Sequence, residues 1–238
     1  MVTKIAHITD SHLDEEFPTR NGVETRKHFD SVLNDIKNEN ISEIICTGDI
    51  GEDQGLMYFF DQLKSYSLSI TLGNHDKFSQ ISKYYTKGTH QEYQKIYSSI
   101  ERDNHKYIYL DSSAGIIDKE QLYWFQTELI SSKPILIFLH HPIIGLNTKA
   151  DEIGRLKNRN EVLSIMENSQ NKISIFCGHY HTESSIIYKN IEQYITPAVS
   201  FQIEKLQNKI EINTKIFGYR IIEIENTSVT SQVKLLEL

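Results

Sequence analysis

The segment Ile173-Ser174-Ile175-Phe176-Cys177-Gly178-His179-Tyr180-His181 contains the pattern that decides the fold of this 238-residue chain. Four of its first five residues are apolar, which is typical of a short strand buried on both faces. A glycine and two histidines follow directly. The segment therefore predicts a buried strand whose carboxyl end carries polar side chains.

The same order, an apolar strand followed by a polar cluster, recurs upstream. The other clusters are Thr9-Asp10-Ser11-His12, Gly48-Asp49, Gly73-Asn74-His75-Asp76 and His140-His141-Pro142. Segments with a helical spacing of apolar residues separate the strands, as at Phe29, Val32, Leu33 and Ile36. This alternation predicts an α/β layered fold, in which the carboxyl ends of the strands face one crevice. We therefore expect the five clusters to meet in one place.

We predict one domain over residues 1–238. The predicted strands are 4–9, 44–47, 69–72, 134–139 and 173–177, and the predicted helices are 23–38, 56–63, 118–129 and 160–168. Residues 97–101 and 105–110 should form a hairpin, because Asp103 and Asn104 favour a turn. Asp118 and Gln121 have the spacing of a helix capping box. Beyond residue 184 we expect further β-structure.

The composition is that of a globular protein and disfavours several functions. Hydrophobic residues make up 39% of the chain, enough to form a core, so disorder is not expected. A net charge of −7 disfavours a binder of nucleic-acid polymers, which needs a basic face. No apolar run is long enough to cross a membrane, and the first residues do not resemble a secretion signal. The only cysteines, Cys46 and Cys177, lie in apolar runs. We therefore predict a reduced, cytoplasmic protein without a membrane partner.

The polar clusters contain a set of residues suited to binding divalent metal ions. Asp10 and His12, like His179 and His181, are two residues apart, so in an extended segment each pair would face one cavity. The candidate ligands are Asp10, His12, Asp49, Asn74, His140, His179 and His181. Carboxylate, imidazole and amide groups together favour Mn²⁺, Fe²⁺ or Zn²⁺. Seven ligands are too many for one ion with open positions, so we predict two ions that share a bridging carboxylate.

These clusters resemble the motifs of the calcineurin-like metallophosphoesterase family, and the matching segments span about residues 4 to 224. The resemblance implies a four-layer α/β/β/α sandwich with a binuclear metal centre. It implies that one ion is held by Asp10, His12, Asp49 and His181. It implies that the other is held by Asp49, Asn74, His140 and His179, with Asp49 bridging.

The family's chemistry is hydrolysis of phosphate esters, by in-line attack of a hydroxide that bridges two metal ions. The leaving alkoxide needs a proton. His75 follows Asn74 directly and has no place among the predicted ligands, so we assign it as the general acid, which is also the family role. Asp76 and Asp14 are candidates for the carboxylate that orients it. Asn74, His75 and His141 are candidate substrate-binding residues.

A narrower resemblance is to the bacterial class III cyclic-nucleotide phosphodiesterases. It comes from Leu110-Asp111-Ser112, Gln121 with Trp124, Thr196 to Gln202, and Gly218-Tyr219-Arg220. It implies a small phosphodiester substrate, a 3′,5′-cyclic nucleotide converted to the 5′-monophosphate. Two features depart from the pattern: Ile143 stands where a second proline is common, and residues 77–100 are particular to this chain.

Several alternatives stay open from the sequence. The substrate could be another small ester, such as a glycerophosphodiester or a 2′,3′-cyclic nucleotide, and a catalytically silent scaffold on the same fold is a further alternative. The protein could be a monomer or a homodimer. Four tyrosines could stack on a base or pack within the fold: Tyr84, Tyr85, Tyr93 and Tyr97.

Overall fold

Two β-sheets form the centre of the computed structural model, which describes residues 2–102 and 104–237. The strands are β1 (Thr3–Ile8), β2 (Glu43–Cys46), β3 (Ser67–Ile70), β4 (Thr89–His90), β5 (Lys95–Ile96), β6 (Ser98–Arg102), β7 (His105–Tyr109), β8 (Ile135–Phe138), β9 (Ile173–Cys177), β10 (Ser184–Tyr188), β11 (Ile191–Ile195), β12 (Gln202–Ile203), β13 (Ile212–Asn213), β14 (Ile216–Glu225) and β15 (Ser228–Glu237). The helices are α1 (Glu16–Arg20), α2 (Thr25–Asn38), α3 (Asp53–Gln62), α4 (Phe78–Ile81), α5 (Lys119–Glu128), α6 (Lys149–Gly154) and α7 (Arg159–Glu167).

The two large sheets share one organisation, with parallel strands in the middle. The first has the order β15-β14-β1-β2-β3, and β1, β2 and β3 run parallel. The second has the order β10-β11-β9-β8-β7-β6, and β7, β8, β9 and β11 run parallel. The parallel strands of each sheet therefore end at a common edge, where their following loops can meet.

Alternating side chains of the strands separate three apolar layers. Ile5 of β1 and Phe138 of β8 belong to the cluster between the two sheets. Ala6 and Ile8 of β1 face the other way, against the cluster that includes helix α2. On the far side, Ile137 of β8 packs in the cluster that includes helix α5. The order helix, sheet, sheet, helix confirms the predicted α/β/β/α sandwich.

The predicted elements are present, with small shifts at their ends. The apolar face of α2, from Phe29 to Ile36, is buried as its spacing predicted. The capping box of α5 forms, since the Asp118 side chain accepts a hydrogen bond from the Gln121 amide at 2.9 Å. Strands β6 and β7 pair as the predicted hairpin, although Asp103 in its turn lies outside the described residues. The short helices α1, α4 and α6 were not predicted, because helices of four to six residues are too short to show a helical spacing of apolar residues.

Both cysteines of the chain, Cys46 and Cys177, are buried and free, as the apolar runs around them indicated. Among the described residues, no helix has both the length and the apolar character needed to cross a membrane.

Candidate metal centre

The predicted ligands lie in the loops that follow five strand ends, and the structure brings them together. Asp10 and His12 follow β1, Asp49 follows β2 and Asn74 follows β3 in the first sheet. In the second sheet, His140 follows β8, and His179 and His181 follow β9. The convergence of the clusters is therefore confirmed, and it occurs where the parallel strands of both sheets end.

The backbone at these ligands differs from the extended segments that the sequence suggested. Five candidate ligands have left-handed backbone conformations, with φ of 55° at Asp10, 43° at His12, 52° at Asp49, 71° at His179 and 45° at His181. Such values are uncommon for residues other than glycine and concentrate at functional sites. The paired ligands share a cavity because tight turns re-aim them, so the extended-strand explanation was wrong.

The first group of ligand atoms comes from Asp10, His12 and His181. The Nε2 atoms of His12 and His181 are 3.1 Å apart, and His181 Nε2 lies 3.3 Å from Asp10 Oδ1. Two ligands about 2.1 Å from one ion, at right angles to each other, would be separated by about 3 Å. The observed distances therefore match atoms that share an ion.

The second group comes from Asp49, His140 and His179. His140 Nε2 lies 3.2 Å from Asp49 Oδ2 and 3.1 Å from His179 Nδ1. The Asn74 side-chain oxygen is also 3.1 Å from His140 Nε2. The same Asp49 Oδ2 is 3.7 Å from His12 Nε2 in the first group. Asp49 thus lies between the two groups, where a bridging carboxylate would be needed.

Each imidazole in the two groups has its other nitrogen engaged by an oxygen. His140 Nδ1 donates to the Thr47 carbonyl at 2.8 Å, and His181 Nδ1 donates to the Phe201 carbonyl at 2.9 Å. His179 Nε2 donates to the Gly154 carbonyl at 2.7 Å, and His12 Nδ1 lies 2.9 Å from Glu15 Oε1. The three hydrogen bonds to carbonyls fix the tautomers of His140, His179 and His181, so that the inner nitrogen presents its lone pair, as is usual in metal-binding histidines, and His12 Nδ1 faces a carboxylate oxygen at ion-pair distance.

Two buried carboxylate oxygens at the site, Asp10 Oδ1 and Glu15 Oε1, have no hydrogen-bond donor among the described residues, and Glu15 Oε1 lies at ion-pair distance from His12 Nδ1. Asp10 Oδ1 is inaccessible to solvent and has no hydrogen-bond partner among the described residues, while Asp10 Oδ2 accepts from Thr9 and from the His179 amide. A buried carboxylate oxygen without a donor is costly unless a cation compensates it. Together with the fixed tautomers, Asp10 Oδ1 shows that the residues fit divalent ions.

The charges in the site are strongly coupled. Burial alone would raise the pKa of Asp49, but the nearby charges of His140 and His12 hold that pKa well below its usual range. Burial would lower the pKa of His140, but Asp49 and Asp10 raise it to about 9. Burial and the neighbouring His140 lower the pKa of His179 to about 4. Asp49 and His140 thus favour each other's charged form.

A glycine allows the loops of the two sheets to approach each other. A Cβ atom at Gly178 would collide with Thr9 Oγ1 and Asp10 Oδ2. The residue after it, His179, donates its amide to Asp10 Oδ2 at 2.9 Å. The glycine therefore permits the contact that joins the β9 loop to the β1 loop.

Residues of the narrower resemblance support the Asp10 loop from behind. The Val199 amide donates to the Thr9 carbonyl, and the Ser200 amide and hydroxyl both donate to the Asp10 carbonyl. The ring of Phe201 lies 4.4 Å from the His181 ring, centroid to centroid. These contacts give the segment a direct part in shaping the site.

The structure places His75 beside the ligands and identifies a carboxylate that the sequence did not. His75 Nδ1 lies 2.9 Å from Glu15 Oε2, and its side chain is 48% exposed. The two carboxylates suggested from the sequence are engaged elsewhere and were wrong: Asp76 accepts backbone amides of Asp49, Ile50 and Gly73, and Asp14 pairs with Arg26. Three residues after His12, Glu15 could have been considered, but no pattern singled it out.

His141 lies behind the ligands instead of facing the cavity. It is 3% exposed, and its Nδ1 contacts the Ser112 hydroxyl at 3.0 Å. Burial and the neighbouring His140 and His179 lower its pKa to about 2. His141 is not among the described residues that line the cavity. This position suits support of His179, whose ring centroid is 4.2 Å away, better than contact with a substrate.

The segment from Lys77 to Ile100, including its tyrosines, contributes no residue to the lining of the cavity. Tyr84 stacks on Phe60, Tyr85 is buried, and Tyr97 stacks on His90. The cavity beside the ligands has a volume of about 210 Å³. Its apolar wall comes from Phe17, Pro18, Phe201 and Ile203.

Solved structures of low sequence identity share the fold. A dimetal phosphatase from Danio rerio superposes with a TM-score of 0.65 at 14% identity, covering 96% of this chain and 98% of its own. A purple acid phosphatase from yellow lupin gives a TM-score of 0.71 at 13% identity, covering 98% of this chain and 51% of its own. At these identities the likeness concerns the fold alone.

Curated relatives are similar over nearly the whole chain. A probable cyclic nucleotide phosphodiesterase of Xenorhabdus bovienii is 30% identical, over 96% of this chain and 98% of the relative. The 3′,5′-cyclic adenosine monophosphate phosphodiesterase CpdA of Haemophilus influenzae is 25% identical, over 99% of this chain and 91% of the relative. The model of the calcineurin-like phosphoesterase family matches residues 3–183. The chain, with its two groups of candidate ligands at the ends of parallel strands, therefore belongs to the calcineurin-like phosphoesterase family.

Proposed function

We propose that this protein is a metal-dependent phosphodiesterase whose substrate is a 3′,5′-cyclic nucleotide, which it converts to the 5′-monophosphate. The observation that carries the proposal is the pair of ligand groups joined at Asp49. Three imidazoles have their outer nitrogens hydrogen-bonded to carbonyls and that of His12 faces the Glu15 carboxylate, so their inner nitrogens are left for cations. Family membership supports the ester chemistry.

The assignment of ligands to two ions follows the two groups. Asp10, His12, Asp49 and His181 would hold one ion, and Asp49, Asn74, His140 and His179 would hold the other. When bound, two divalent ions supply a water of lowered pKa and offset the charge of a phosphodiester. The mixed nitrogen and oxygen ligands support Mn²⁺, Fe²⁺ or Zn²⁺ as the native metals.

His75 is suited to donate a proton to the leaving group. Its Nδ1 is engaged by Glu15 and its exposed edge borders the cavity, so Nε2 is directed to the open side. As the ester P–O bond breaks, the Nε2 proton would pass to the departing ribose oxygen, and the bond's electron pair stays on that oxygen. Asn74 and His75 would also hold the phosphate.

The cavity supports a small substrate with one flat apolar face. A volume of about 210 Å³ suits a small ester rather than a polymer. Phe17 lies at the cavity with 55% of its surface exposed, and its ring centroid is 5.7 Å from that of Phe201. A nucleobase can stack on such a ring, whereas a glycerol group cannot. The free thiols of Cys46 and Cys177 support a reducing compartment, the cytoplasm.

A substrate comparison tests the proposal. Purified protein loaded with Mn²⁺ should hydrolyse cyclic AMP with a higher kcat/KM than 2′,3′-cyclic AMP or glycerophosphocholine. Phe17→Ala should raise KM for the cyclic nucleotide while KM for glycerophosphoglycerol, which has neither a ring nor a cation, stays unchanged, and Phe17→Tyr, which keeps the ring, is the matched control.

Two results would contradict parts of the proposal separately. A tenfold preference for glycerophosphocholine or 2′,3′-cyclic AMP would refute the cyclic-nucleotide substrate and leave the phosphodiesterase standing. Binding of two Mn²⁺ ions without hydrolysis of any ester would instead favour a scaffold on this fold.

A further inference from the structure

Glu15 lies between two histidines that the proposed function uses in different ways. Its Oε1 is 2.9 Å from His12 Nδ1, and its Oε2 is 2.9 Å from His75 Nδ1. The two rings are 4.8 Å apart and nearly perpendicular, at 84°. One carboxylate therefore contacts a candidate metal ligand with one oxygen and the candidate general acid with the other.

The position of Glu15 is fixed by its surroundings. The residue is 5% exposed and directly precedes α1. Its amide donates to the His12 carbonyl at 3.2 Å, and its own carbonyl accepts from the Thr19 hydroxyl at 2.8 Å. A buried carboxylate with a fixed backbone has few rotamers that reach both imidazoles, so it can hold both rings in defined orientations.

Other acidic side chains near His75 are engaged in different contacts. Asp49 Oδ1 accepts the His75 backbone amide at 2.8 Å, which fixes the loop but leaves the ring free to rotate. The Asp76 oxygens accept three backbone amides, and Asp14 forms an exposed pair with Arg26. Orientation of the His75 ring thus depends on Glu15.

We propose that Glu15 is a positioning residue that aligns His75 for proton donation and orients His12 toward its metal ion at the same time. The inference rests on the proposed function. Carboxylates that orient metal-binding or catalytic histidines typically contribute 10–100-fold to metal affinity or activity. Because the two oxygens have different partners, removing the charge should produce two effects that separate experimentally.

The test uses Glu15→Gln, which keeps the size of the side chain but removes the negative charge that faces both rings. The matched control is Asp14→Asn, which removes the adjacent acidic charge without touching either histidine. Calorimetry with Mn²⁺ should show affinity weakened about 10–100-fold in Glu15→Gln. It should be unchanged in Asp14→Asn and in His75→Ala.

Kinetics at saturating Mn²⁺ measure the second effect. Glu15→Gln should lower kcat about 10–100-fold on a diester with an alkoxide leaving group, and much less on bis(p-nitrophenyl) phosphate, whose leaving group needs little protonation. In a His75→Ala background the same change should alter kcat by less than about threefold, since the shared step is already lost.

The outcomes decide between this role and a merely structural one. Equal losses on both substrates, or a loss that persists unchanged in the His75→Ala background, would overturn positioning of His75. Unchanged Mn²⁺ affinity in Glu15→Gln would refute the proposal that Glu15 orients His12 toward its metal ion. If the wild-type protein hydrolysed neither diester, the proposed function would fail, whereas the Mn²⁺ calorimetry would still test the contact between Glu15 and His12.

Discussion

His7 provides a quantitative test of how the core beneath the metal centre depends on pH. It lies on β1 with no exposed surface, between the two sheets. Its Nδ1 is 2.7 Å from the Thr196 hydroxyl and its Nε2 is 2.9 Å from the Thr47 hydroxyl. Burial, with a smaller contribution from the nearby Arg220, lowers its pKa from 6.5 to about 3.

The sign and size of the effect follow from these two pKa values. Below pH 6.5 the unfolded chain takes up a proton at His7, but the folded protein does not until the pH approaches 3. Stability from a neutral His7 is therefore complete above pH 6.5 and is lost as the pH falls. At pH 5 the pH lies about 1.5 units below the pKa of His7 in the unfolded chain. At 1.36 kcal/mol per unit, the free energy of unfolding should therefore be lower by about 2 kcal/mol than above pH 6.5.

Urea unfolding of the metal-free protein at several pH values between 7.5 and 5 measures this loss. His7→Gln keeps polar contact with the threonines but does not titrate. The free energy of unfolding of the wild type should fall about 2 kcal/mol more than that of the variant over this range. Equal losses in the two proteins would refute the reasoning, because His7 would then titrate alike in the folded and unfolded states.

Three further substitutions test the centre itself. Asp49→Ala should abolish binding of both ions by calorimetry and with it hydrolysis, because Asp49 lies between the ligand groups; retained turnover would contradict the mechanism. His75→Ala should keep both ions but lose about 10²–10⁴ in kcat on a diester with an alkoxide leaving group. An equal loss in kcat on a diester with a nitrophenolate leaving group would indicate that His75 positions the phosphate instead of donating a proton. Gly178→Ala should weaken Mn²⁺ binding at least about tenfold, because its Cβ would displace Asp10 Oδ2. Wild-type affinity would show that the loops can relax.

Much of the site could be predicted because local patterns specify it. The apolar runs that end before Asp10, Asp49 and Asn74 are short and buried on both faces, which identifies parallel strands. Parallel strands place their carboxyl ends at one edge of the sheet. The convergence of the candidate ligands could therefore be predicted without knowing the structures of the loops. Ligand types and their order then sufficed to indicate the metal centre.

The partners of these residues could not be predicted, because they depend on contacts between distant loops. Gly154 accepts a hydrogen bond from His179, yet it lies 25 residues away in an unpredicted helix. Glu15 reaches His75 across 60 residues. The apolar wall at Phe17 arises because the unpredicted helix α1 begins directly after Glu15. No periodicity in the sequence encodes such contacts.

The left-handed conformations of the candidate ligands are supported by backbone contacts between their loops. Such conformations cost about 1–3 kcal/mol each at residues other than glycine and persist only where the surroundings determine them. Here the Asp10 amide donates to the Gly48 carbonyl, and the His12 amide donates to the Asp49 carbonyl, both at 3.0 Å. These bonds tie the β1 loop to the β2 loop through main-chain atoms alone. These main-chain contacts therefore help to hold the candidate ligand atoms about 3 Å apart, the spacing that a shared ion requires.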